Sequence, residues 1–234
     1  MRRALLVAAA ALLLAVPQAA TAASVTTMVT GKDRVLRSAK PVRLADTRRV
    51  KVGSRRCTVS GRTPLGVLAA TSLAIRLRDY GSCGRRPADA ASLFITRIGN
   101  DRNRGPDGWV YKVGRKVSSA GAGDRSGRRL RAGDRLLWFY CRAQRTGGCQ
   151  RTLEATPDRK SAAPGDTVGV TVRGYDDQGR GVAVEGATVT VGSATATTDA
   201  AGVAQVVVPA AGRLTLGASR TGMVAAFPGV VRAG

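Results

Sequence analysis

Residues 106–141 read PDGWVYKVGRKVSSAGAGDRSGRRLRAGDRLLWFYC, and the two ends of this stretch decide the fold of the first half of the chain. It carries both tryptophans and two of the four tyrosines. In Trp109-Val110-Tyr111-Lys112-Val113 the residues alternate, which predicts a strand with Trp109, Tyr111 and Val113 on one face. Leu136-Leu137-Trp138-Phe139-Tyr140 repeats the period and groups Leu136, Trp138 and Tyr140, with Gly133-Asp134 as the turn before it. Trp109, Tyr111, Trp138 and Tyr140 are therefore expected on a single sheet face, as core or as a ligand platform. Large aromatics are scarce elsewhere, so packing claims the tryptophans first. The tyrosines near strand ends are the better placed for a ligand.

Working outward, Thr63-Pro64-Leu65-Gly66-Val67-Leu68 is a helix start, with Thr63 as N-cap and Pro64 at the first helical position. Arg48–Val52, Leu73–Leu77 and Leu93–Ile98 read as strands. Residues 23–47 are polar and weakly patterned and are expected as a lead-in or an edge strand, with a first domain over 48–151.

From Thr152 the texture changes. Short Val, Thr and Ala alternations (Val168, Val170, Val172; Ala187, Val189, Val191; Val203–Val208; Leu214, Leu216) are separated by Pro-Gly-Asp and Asp-rich turns. Strands at that even spacing predict an antiparallel β-sandwich over 152–234. The fold class expected is thus mainly β with a short helix. A small α+β domain with a mixed sheet precedes an Ig-like sandwich.

The N-terminus reads as a secretory signal. Arg2 and Arg3 precede the apolar run Ala4–Val16, and Ala20-Thr21-Ala22 suits cleavage after Ala22. That run is shorter than the about 20 residues of a bilayer span, so no transmembrane segment is expected after cleavage. Export makes Cys57, Cys83, Cys141 and Cys149 legible as two disulfides. Three pairings are possible; Cys57–Cys83 and Cys141–Cys149 are expected because each closes a local loop. There is no CxxC and no histidine to complete a zinc site, so neither metal nor cofactor is expected.

The charge is lopsided. The net charge is +23 overall, and between Ser24 and Lys160 there are 31 basic against 10 acidic side chains, while the five of each sign from Asp166 onward cancel. Such a field favours anionic partners, with cell-envelope polymers foremost. A scatter of solvated arginines competes with that reading, because no tight basic run of the nucleic-acid type occurs. No specific nucleic-acid binding is expected. Without histidine the usual triad base is missing. Asp101, Asp107, Asp124 and Asp134 all sit in turn contexts rather than as paired catalytic carboxylates. The chain is therefore read as non-enzymatic.

Two resemblances bear on this. The first domain resembles the transcobalamin-like C-terminal domain family of bacterial secreted proteins, on Thr63–Leu68, Phe94–Gly99, Trp109–Gly114 and Leu130–Tyr140. The second is similar to bacterial Ig-like and carboxypeptidase regulatory-like domains, on Pro164–Val168, Val184–Val189 and Thr198–Val203. The first resemblance implies a small β domain of the kind that, in eukaryotic cobalamin carriers, closes over a corrinoid held mainly by a helical domain. This chain has no such helical domain. The second implies a β-sandwich spacer. Together they suggest a secreted, non-catalytic binding or adhesion module at the cell envelope. The alternative is capture of a small ligand, a corrinoid or a glycan, on the aromatic face.

Overall fold

A computed structural model of the chain describes residues 22–125 and 129–234. The expected signal therefore lies outside the described residues, apart from Ala22. Among the described residues the protein is mainly β, with one short α-helix.

The first half contains β1 (Ser24–Thr30), β2 (Val35–Arg43), β3 (Thr47–Val52), β4 (Arg55–Ser60), β5 (Ile75–Asp79), β6 (Leu93–Ile98), β7 (Asp101–Arg102), β8 (Gly108–Val113), β9 (Lys116–Val117) and β10 (Arg135–Cys141). They form a five-stranded sheet in the order β2-β1-β10-β8-β9, a hairpin β3-β4 and a three-stranded sheet β5-β6-β7. Pairing of β1 with β10 is parallel and every other pairing here is antiparallel, so the main sheet is mixed as expected.

The polar lead-in is corrected to sheet, with β2 at its edge, as the alternative for this segment had it, and β1 further in. Residues 24–43 supply two strands of the main sheet, and β1 lies inside it between β2 and β10. The stretch SVTTMVT looks polar because of its threonines, but threonine is β-branched and fits a pleated surface as well as valine does. Val25 and Val29 are fully buried, and so is Thr27.

Helix α1 (Pro64–Leu68) starts as the sequence predicts. The Thr63 hydroxyl accepts from the Gly66 amide at 3.2 Å, and Pro64 opens the first turn. All five helix residues are buried. The core of this half unites Leu65, Val67 and Leu68 with Val25, Val29, Leu136, Trp138 and Tyr140.

In the second half, β11 (Thr152–Pro157), β13 (Thr167–Tyr175), β14 (Gly181–Ala183) and β17 (Val203–Val207) make one sheet around β13. Facing it are β12 (Ser161–Ala162), β19 (Gly229–Ala233), β18 (Gly212–Ser219), β15 (Thr188–Val191) and β16 (Ala194–Thr197), in that order. Val168, Val170, Val172, Val189, Val191, Val206 and Leu216 meet between the sheets, each 1% exposed or less. This is a β-sandwich of two facing sheets. It departs from the wholly antiparallel expectation at one edge, where β12 pairs with β19 in parallel.

The halves are joined by more than a peptide. The main sheet is covered on both faces, which explains why Leu136–Cys141 is an unbroken apolar run rather than an alternating one. Its second face presents Met28, Leu137 and Phe139 to Val224, Ala225 and Phe227 of the sandwich.

Candidate functional site

The aromatic face forms as the alternation requires. Trp138 lies opposite Tyr111, and Tyr140 opposite Trp109, across β8 and β10. Trp109 and Tyr140 meet edge to face at 5.7 Å, and Tyr111 and Trp138 at 5.1 Å with their planes tilted by 47°. All four rings are 6% exposed or less. Trp109 Nε1 donates to the Asp101 carbonyl, Tyr111 OH to that of Ala120 and Tyr140 OH to that of Arg102. These bonds tie the sheet to β7 and to the loop that follows β9. The four residues are core first, and Tyr140 does not line the cleft that the other three share.

Three of them also floor a cleft. A cavity of about 410 Å³ opens between β6 and β8, with Trp109, Tyr111 and Trp138 beneath it and Phe94, Tyr80 and Val117 around it. Trp138 is 1% exposed, yet its Nε1 has no hydrogen-bond partner among the described residues. A buried indole N–H without an acceptor costs about 1–3 kcal/mol. Burial raises the Tyr111 hydroxyl above its ordinary pKa, against a smaller lowering by Ser118, so it stays neutral.

The rim was not foreseen in the sequence. Tyr80 and Phe94 are 65% and 46% exposed and meet edge to face at 6.1 Å. The Arg78 guanidinium stacks on Tyr80 at 4.9 Å. Alternation held the signal: with Leu93 and Ile95 buried, Phe94 must point outward.

Beyond the rim, the outer face of the three-stranded sheet is cationic. Arg76 lies opposite Arg97, and Arg97 opposite Arg102. Neighbouring acids are engaged elsewhere. Asp79 binds Arg55, Ser92 and the amides of Gly81 and Cys83, while Asp101 and Asp107 accept from the amides of Lys32 and Ala143. Asp134 caps its own turn by accepting from the Arg131 amide.

All four cysteines are paired, Cys57 with Cys83 and Cys141 with Cys149. Among the described residues, no group of three or more His, Cys, Asp or Glu side chains is placed to hold a metal. No helix among them is long and apolar enough to cross a membrane.

The least expected residue is Lys112. It points away from the aromatic face, is fully buried, and donates to Thr152 Oγ1 (3.1 Å) and to the carbonyls of Tyr175 (3.1 Å) and Asp176 (2.8 Å) in the sandwich. Desolvation lowers its pKa from 10.5 to about 8, opposed by the nearby Asp177 and Asp176. Beside it Arg115 forks onto Glu154 with bonds of 2.7 and 3.0 Å.

No family model matches the chain, and no curated protein does. Among solved structures it is similar to the D00-D0 domain of Intimin at 15% identity, covering 80% of this chain and 93% of that one, with a TM-score of 0.28. A score of that size does not establish a common fold.

Proposed function

We propose that this protein is a secreted, non-catalytic binding module that attaches through its first domain to anionic polymers of the cell envelope. The sandwich is a brace packed against the back of the binding domain, more than a spacer. The observation that carries this reading is the imbalance of charge. The first half holds nearly all the excess arginine, and its ion pairs among the described residues engage only Arg55, Arg86, Arg115 and Arg142. Most of the remaining guanidinium groups face solvent and are open to an anionic surface. In a test, purified protein is mixed with washed cell envelopes at low and high salt and sedimented. Co-sedimentation released by salt is the expected result; protein that stays in the supernatant at low salt removes the reading.

A second reading, capture of a small ligand such as a corrinoid or a glycan fragment, is favoured by the cleft of about 410 Å³ that Trp109, Tyr111 and Trp138 line together with Tyr80 and Phe94. The cleft lies within the usual size range of small-molecule pockets. It predicts quenching of tryptophan fluorescence on titration, and a flat response across a panel of such ligands rejects it.

A further inference from the structure

From the outer face of the three-stranded sheet we infer a docking surface for an acidic polysaccharide carrying one carboxylate per sugar, with arginines reading the acid groups and the exposed aromatic pair reading the sugar. The inference rests on the envelope-binding reading above and names the surface and the partner chemistry.

Arg76, Arg97 and Arg102 stand in one row across three strands. Like charges directly opposite one another oppose strand pairing, and no carboxylate among the described residues pairs with any of the three. Arg97 adds an Nε that is buried and without a hydrogen-bond partner. A surface that keeps this arrangement gains most when an anion arrives. Arginine is suited to the task, since its planar fork takes a carboxylate through two parallel bonds.

The spacing selects the polymer. Neighbouring strands lie about 4.8 Å apart, so the row presents a cation at about that step over about 10 Å. One pyranose unit of a linear glycan advances its chain by a similar distance. Next to the row, Arg78 lies opposite Phe94 on the same outer face, and Tyr80 meets Phe94 with the ring planes at 65°. Rings set edge to face do not make the parallel-walled slot that a flat base requires. A sugar that lays one C–H face on one ring needs a single wall, and both Tyr80 and Phe94 are exposed to provide it.

The experiment measures binding of the purified protein to polygalacturonate, to its methyl ester and to single-stranded DNA of matched charge, by titration at several salt concentrations. Polygalacturonate is expected to bind best and the ester to lose binding. R76Q/R97Q/R102Q is expected to weaken polygalacturonate binding at least about tenfold, which is about 1.4 kcal/mol. The salt dependence is expected to become shallower by about 2 in the slope of log K against log salt, as three released counterions imply. The milder R76Q/R102Q, confined to exposed positions, guards against a folding defect and is expected to show a smaller loss. Y80A/F94A is expected to weaken binding without changing the salt slope. The control is R213Q/R232Q, which removes another cross-strand arginine pair, in the sandwich. A second readout is thermal: R97Q relieves like-charge opposition, so its midpoint is expected to hold or rise. Equal losses in R213Q/R232Q and in the row variants overturn the inference in favour of net charge alone. Tighter binding to the DNA, retention of the methyl ester, or a lowered R97Q midpoint also overturn it. If R76Q/R97Q/R102Q still sediments with envelopes as well as the parent, this inference fails while the envelope-binding reading stands.

Discussion

At the scale of single residues, the chemistry of this protein turns on two buried nitrogens. Lys112 Nζ lies at the seam between the halves, and its folded pKa of about 8 is below the ordinary 10.5. Between those values the unfolded chain binds more protons than the folded one, so raising the pH through this window favours folding. Measured against Lys112→Met, the parent is expected to gain stability from pH 8 to 10.5 and to show no relative change below pH 7. Chemical denaturation at a series of pH values checks this, and a parent that loses ground over that window contradicts the assignment. At neutral pH the Met variant is expected to be less stable by about 1–3 kcal/mol, because the Tyr175 and Asp176 carbonyls lose their buried donor. Trp138 Nε1 makes the opposite case. Trp138→Phe deletes an N–H that bonds nothing among the described residues, so its stability cost is expected to stay below the about 3–5 kcal/mol typical of removing an aromatic from a core. A loss of that size in thermal unfolding would mean the nitrogen has a structural acceptor.

At the scale of elements, β1 decides whether the first half folds. It sits between β2 and β10, and its Val25 and Val29 belong to the core around Trp138. A chain shortened to begin at residue 48 is expected to lose cooperative unfolding of the first half, by circular dichroism and hydrogen exchange. A sharp transition in that chain would show that β10 can do without its parallel partner. Helix α1 imposes a second constraint at Gly66, where a Cβ would collide with the Ser60 carbonyl. Gly66→Ala is expected to destabilise by more than about 2 kcal/mol, since the obstacle is backbone and cannot rotate away.

At the scale of the whole molecule, the two halves are expected to melt as one unit. Met28, Leu137 and Phe139 share a cluster with Val224, and Lys112 and Arg115 bind across the same seam. Calorimetry should give one transition, which Lys112→Met separates into two; two transitions in the parent would refute the coupling. Reduction of both disulfides is expected to lower stability by several kcal/mol. Loop closure gives about 3.5 kcal/mol for the Cys57–Cys83 separation of 26 residues and about 2.5 for the Cys141–Cys149 separation of 8.

Much of this was legible in the residues themselves, because it depends on local pattern. Alternation set the faces of β8 and β10. Thr63-Pro64 marked the start of α1, and the even Val/Thr runs marked the sandwich. Local loop length pointed to the cysteine pairs. What only the tertiary structure decided is long-range. The polar-looking Ser24–Thr30 enters the sheet beside a strand more than 100 residues away, which no neighbouring residue announces. Lys112 alternates onto the back face of β8 and would pass for a solvated cation until the sandwich covers it. The arginine row and the Tyr80–Phe94 rim arise from register between strands. Burial, pairing and the pKa of a lysine are set by what packs against a residue, and that is a property of the assembled fold.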